Sequence, residues 1–235
     1  MESFKFSLGP YEIFSSIIGG IPLFLAGCLS YNPVSSLQDL VPTVQNNASV
    51  AISLVILFIS YILGKIIQGL SWWYFLRLCR FFNENYRYFG NLNTHSKKLL
   101  EKPELNIAST SLSFEDRLVL LLHRRVGIPE KNSRLDARIT SFLREHNRQA
   151  ALSTAELHMA THIMYRGWSL GFFVLSLVLL INLFRTPTLT FEQWALPFGS
   201  LFFAYITFLR AVKLKQWHNR DLLLGFYFAA SEETS

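Results

Sequence analysis

The sequence predicts an all-α polytopic membrane protein, with four transmembrane helices and a helical cytoplasmic domain between the second and third. Three observations lead there. Of 235 residues, 51% are hydrophobic and only 16% charged, where ordinary globular chains carry about 25% charged residues. Four stretches lack charge, or hold one, for close to the 20 helical residues that a hydrocarbon core of roughly 30 Å requires. The basic residues gather between the second and third stretches, an asymmetry that orients membrane proteins. The 21 Phe and the positive mean hydropathy exclude a disordered chain, which lacks apolar surface.

In chain order, residues 1–70 form a membrane hairpin with spans 13–29 and 49–70. Lys65 in the second span lies near its end, where a flexible stem carries the ammonium to the headgroups. The first span is read as retained and not as a signal peptide: Glu2 and Glu12 flank it, Lys5 is the one basic residue before it, and no A-x-A site follows. Residues 71–166 form the cytoplasmic domain. Residues 167–209 form a second hairpin with spans 167–184 and 194–209, and 210–235 a cytoplasmic tail. Residues 71–166 hold fifteen Lys and Arg against nine acidic side chains, and the tail four more basic ones. Residues 30–48 hold none, so the middle segment and both termini are expected in the cytoplasm.

Within 71–166 three helical pieces are predicted. Residues 72–88 continue the second span as an aromatic and basic extension that breaks at 90–94. Ser113 with Asp116 forms a capping pair that opens a helix through Val126, stopped by Gly127 and Pro129. A third helix starts near Ser133 or Arg134 and meets no Gly or Pro until Gly167, so it is able to run into the third span. At 100° per residue Leu135, Ile139, Phe142, Leu143, Ala150 and Leu157 share one stripe, while Arg134, Arg138, Glu145 and Arg148 share another. The apolar run Leu118 to Leu122 calls for burial nearly all round, within the chain or between protomers.

Few residues suggest chemistry. His158 and His162 are spaced i, i+4, as two ligands of one metal would be, but no further ligand accompanies them at a useful spacing. They read more simply as membrane-proximal polar residues, and His146 as a core histidine. No metal or cofactor is predicted. Cys28 and Cys79 fall at opposite ends of different spans and read as two separate thiols. Phosphate loops, nucleophile elbows and clustered acids are absent from the sequence, so no enzyme is predicted. Arg124, Arg125, Arg134, Arg138, Arg144 and Arg148 are the candidate ligand-binding residues, because guanidinium groups grip phosphate bidentately. The plainer reading is that cytoplasmic segments are basic by orientation alone.

The spans carry small residues at i, i+4, among them Ser16 with Gly20 and Ser60 with Gly64, which let helices approach closely in lipid. Ser16, Gly19, Gly20 and Pro22 are the candidate pore or gate residues, and ordinary packing is the plainer alternative. Four spans cannot readily enclose a hydrated path, so a channel requires a homo-oligomer of more than two copies. The sequence is accordingly read as a channel or pore-like effector gated by its cytoplasmic domain through an anionic nucleotide or short single-stranded nucleic acid. The alternative is a non-conducting membrane scaffold that recruits a cytoplasmic partner. Paired spans, the basic segment 71–166 and paired spans again resemble the layout of small membrane effectors in prokaryotic anti-phage systems, such as the Hailong-type effector. That resemblance implies antiviral defence, a prokaryotic inner membrane and a partner enzyme that supplies the signal.

Overall fold

The computed structural model describes residues 10–31, 50–86, 112–127, 135–185 and 191–232. Among these residues the fold is all-helical, with six helices and no strand: α1 (Pro10–Tyr31), α2 (Val50–Phe81), α3 (Phe114–Arg125), α4 (Leu135–Glu145), α5 (Gln149–Leu183) and α6 (Phe191–Glu232). Three of them are long and apolar enough to cross a membrane, within Ser53–Phe81, Gln149–Leu183 and Gln193–Glu232. The apolar stretch of α1, Ser15–Tyr31, is shorter. With 35 and 42 residues, α5 and α6 extend about 50 and 60 Å at 1.5 Å per residue, well beyond a hydrocarbon core. The chain divides into two compact units, Met1–Glu84 with Ala160–Lys213, and Asn85–Met159 with Leu214–Ser235.

In the first unit α1 packs on α2 with almost no side chain between them. A Cβ added to Gly20 would stand 2.0 Å from the Ser60 carbonyl oxygen, and one added to Gly64 would stand 1.8 Å from that of Ser16. The i, i+4 spacing stacks each small pair on one face, so two backbones meet where larger residues would hold them apart. Ser16 and Ser60 are fully buried there. The α1–α5 seam is built the same way, with Gly167 facing Gly19 and Gly171 facing the Pro22 ring. Polar side chains tie the helices through backbone carbonyls. Trp168 donates to Ile18 O at 2.6 Å, Asn182 to Leu29 O at 2.8 Å, Ser169 to Ala204 O at 2.8 Å and Ser176 to Pro197 O at 2.8 Å. Such bonds contribute about 0.6 to 2 kcal/mol each in lipid. The outward faces are apolar, with Leu54, Phe58, Ile62 and Ile66 on α2 and Phe198, Phe202 and Ile206 on α6.

The second unit has an apolar core of its own. Leu118, Leu121 and Leu122 of α3 meet Leu135, Ile139 and Leu143 of α4, Leu152 and Ala155 of α5, and Leu222, Phe226 and Ala230 of α6. The run Leu118 to Leu122 therefore finds its burial inside one chain. Ser113 caps α3 as its spacing predicts, accepting from the Asp116 amide at 3.2 Å. Gly127 follows with φ +69°, a left-handed turn that glycine adopts without strain. Residues 214–232, read from sequence as a tail, are helical and fill part of this core.

Helix α4 corrects the expectation of an unbroken run from about residue 133 to 167. It ends at Glu145, and α5 begins anew at Gln149. Asn147 adopts φ +54°, its amide donates to Arg144 O at 3.2 Å, and the Arg148 amide donates to Leu143 O at 2.9 Å. This pair of bonds is the Schellman termination, for which Asn is the usual substitute when Gly is absent. Asn83 ends α2 by the same device, with φ +54° and the Glu84 amide bonded to Cys79 O at 2.8 Å. Beyond Asn147 the buried face moves: Leu152 and Ala155 are buried, and Leu157 is 43% exposed.

Candidate functional site

The arginines predicted to bind a ligand separate once the structure is known. Two of them, Arg125 and Arg138, line a cavity between the end of α3 and α4. It encloses about 360 Å³ and is walled by Arg125, Val126, Arg138, Ser141, Phe142 and Glu145 among others. That volume is at the small end of ligand sites, large enough for a phosphate-bearing group.

Its geometry follows from how α3 stops. The turn at Gly127 leaves the Val126 carbonyl at a helix C-terminus, where partial negative charge collects. The Arg138 guanidinium donates to that oxygen at 3.0 Å. A Cβ on residue 127 would meet the same guanidinium nitrogen at 3.3 Å, so glycine serves both the turn and the approach of the arginine. One of the five guanidinium N–H donors is committed to this bond. Ser141 and Phe142 stand one turn beyond Arg138 on α4, which brings a hydroxyl and a ring edge to the same hollow. Glu145 also walls the hollow, and its carboxylate limits the positive field.

The other predicted arginines serve elsewhere. Arg144 lies 3.6 Å from Glu156, with both side chains more than half exposed. Arg148 pairs with Glu232. Arg124 is exposed at the end of α3 and is not among the residues lining the cavity. Arg134 lies outside the described residues. The structure thus gathers Arg125 and Arg138 and leaves Arg124, Arg144 and Arg148 apart.

Ser16, Gly19, Gly20 and Pro22, the predicted gate, all sit in the helix seams of the first unit described above. Gln68 donates to Ser16 Oγ at 2.8 Å, and Arg166 donates to Ser71 Oγ at 2.9 Å and to Gln68 O at 3.1 Å while facing the Trp72 ring. Sequence reading missed this polar ladder. Its signal was Gln68, an amide inside an otherwise apolar run, followed one turn on by Ser71 and Trp72.

The histidines have individual partners. His158 Nε2 lies 3.2 Å from Asp221 Oδ2, and His162 Nδ1 lies 2.9 Å from Ala211 O. His146 stacks on Phe142, with Nδ1 2.7 Å from Phe142 O. Among the described residues no three His, Cys, Asp or Glu side chains group as metal ligands. The second unit also holds two polar contacts unread in the sequence. Lys215 lies 3.4 Å from Asp136, and His218 Nδ1 lies 2.8 Å from Ala155 O. No protein-family model, curated protein or solved structure matches this chain.

Proposed function

We propose that the chain is a four-span integral membrane effector whose basic helical unit receives a phosphate-bearing ligand and so controls a pore formed among more than two copies. The observation that supports it most directly is the convergence of Arg125, Arg138 and Ser141 on one cavity. Two arginines and one glutamate are among the residues that wall that hollow, and arginine forks suit phosphate geometry. A nucleotide or a short single-stranded nucleic acid is the ligand class. Both termini and the basic unit face the cytoplasm of a prokaryotic cell, with the spans in the inner membrane. An anti-phage role, with a partner enzyme that makes the ligand, fits the layout noted in the sequence.

The test pairs binding with conduction. Purified protein is titrated with pyrophosphate and with a fluorescent oligodeoxythymidylate, then fused into planar bilayers. Charge-assisted hydrogen bonds contribute about 1.5–3 kcal/mol, and exposure lowers this to about 1. Arg125→Gln with Arg138→Gln should therefore weaken binding about tenfold or more. Stepwise conductance that responds to the same probes supports the pore, and unchanged binding in the double variant refutes the site.

A second reading, the non-conducting scaffold, has an observation of its own. The hydrogen-bonding side chains named in the bundle point into it and bond to its own backbone or to one another, and the outward faces are apolar. A passage between copies would then be lined by apolar groups, which gate by dewetting and conduct only when widened. A silent bilayer with intact ligand binding identifies the scaffold.

A further inference from the structure

The apolar surface of the first unit carries an indentation among its described residues. A groove of about 450 Å³ lies between α2, α5 and α6, walled by Tyr74, Leu78, Phe173, Phe198, Leu201 and Phe202 among others. Its polar content is nearly all hidden: the Tyr74 hydroxyl bonds Ser169, whose own hydroxyl is bound to Ala204 O. What remains for an occupant is rings and Leu side chains, within helices apolar enough to lie in a bilayer.

The groove has two unlike ends. Phe82, just past α2, meets Tyr205 at 5.3 Å and Phe208 at 5.7 Å between ring centres. The α2 wall therefore flanks the 204–208 stretch of α6, and Phe198 lies at the opposite end. Around Phe198 the described neighbours Trp194, Ala195 and Leu196 carry no charge. Beyond the groove's lining, two exposed cations follow its α2 and α6 walls along the chain. Arg77, three residues after Tyr74 and so on the same side of α2, lies over the Trp73 ring at 4.0 Å. Lys213, eleven residues after Phe202, returns to nearly the same line of α6 about 16 Å further along its axis. Both stems are long enough to bring the charge to a headgroup while the chain stays apolar.

We infer that this groove seats one acyl chain of an anionic phospholipid, its phosphate held at Arg77 and Lys213 and its tail running toward Phe198. Charge complementarity selects this occupant: an apolar helix would match the walls but bring no anion to the exposed cations beyond them, and a neutral lipid would gain only the walls. Anionic leaflets reward each nearby Lys or Arg by about 1 kcal/mol, so the two together imply a selectivity of roughly tenfold or more.

Native mass spectrometry tests this directly. The full chain is reconstituted in nanodiscs of equal phosphatidylcholine and phosphatidylglycerol, released into mild detergent and weighed with its retained lipid. The wild type should keep one phosphatidylglycerol per chain, at least fivefold over phosphatidylcholine. Leu201→Trp fills the groove and should lose both lipids. Arg77→Gln with Lys213→Gln alters only exposed side chains and should keep a lipid without preference. Equal retention of the two lipids by the wild type overturns the proposal, as does a Leu201→Trp variant of wild-type melting temperature that still holds phosphatidylglycerol. A wild-type mass showing a second chain in place of lipid, abolished by Leu201→Trp, assigns the groove to a subunit and also overturns it. Should Leu201→Trp fail to fold, an undiminished preference in the Gln double variant overturns it alone.

Discussion

At Gly20 and Gly64 a single methyl group decides whether α1 and α2 can touch. Alanine at either place would put carbon within 2.0 Å of a backbone oxygen, which the helices can relieve only by moving apart. Overpacking of this kind costs about 1–3 kcal/mol or more, so Gly20→Ala and Gly64→Ala should each lower the melting temperature in detergent clearly. Gly69 on α2 has nothing within 4 Å of its added Cβ. Gly69→Ala should be neutral or stabilise by up to about 1 kcal/mol through helix propensity. Equal melting of all three variants would refute the close approach. Glu145 offers a residue-scale test at the cavity. Removing its charge with Glu145→Gln should tighten pyrophosphate binding severalfold, the reverse of the arginine variants, and weaker binding would show that the carboxylate helps to build the site.

Among the elements, the joint between α4 and α5 is the most instructive. The sequence contains no Gly or Pro there, and breakers were the signal used to end helices. Asn147 is a weaker signal, since asparagine is also tolerated inside helices and enters the left-handed region only a few times more readily than other residues. A second sign was present in the apolar pattern. Extended through residue 147 as one helix, Leu152 falls about 100° and Ala155 about 160° from Leu135 around the axis, yet Leu135, Ile139, Phe142, Leu152 and Ala155 are all buried. One core can take both sets only if the phase resets between them. Asn147→Gly should be neutral or slightly stabilising, and Asn147→Ala should cost about 1–2 kcal/mol, read as a lower midpoint in thermal unfolding. Identical midpoints for the two variants would mean that the left-handed turn carries no strain. The capped start of α3 was legible because Ser113 and Asp116 stand only three residues apart in sequence. The cavity was legible only in part, because Arg125 and Arg138 come together through the turn at Gly127 and not through any spacing.

On the scale of the whole molecule, composition pointed to membrane-length apolar helices, and three described helices are long and apolar enough to span. Composition could not reveal the partition of α5 and α6 between two units, because the cores they enter are assembled from residues far apart in the chain. Phe226 is fully buried in the second unit, with Phe142 at 4.9 Å between ring centres. Phe226→Ala should cost about 3–5 kcal/mol and unfold that unit selectively. Hydrogen exchange should then rise in α3 and α4 while the amides of α2 stay protected, and uniform exchange would show that the two units melt as one.

The placement of residues 214–232 has a consequence for biosynthesis. During translation, at about 5–20 residues per second, Leu118 and Leu143 emerge well before Leu222, Phe226 and Ala230, the groups that complete their core. For those seconds α3 and α4 present bare leucines to whatever lies nearby, membrane surface or chaperone included. A nascent chain stalled near residue 210 should therefore be captured by holdases and digested quickly, whereas one extended past Ala230 should escape both.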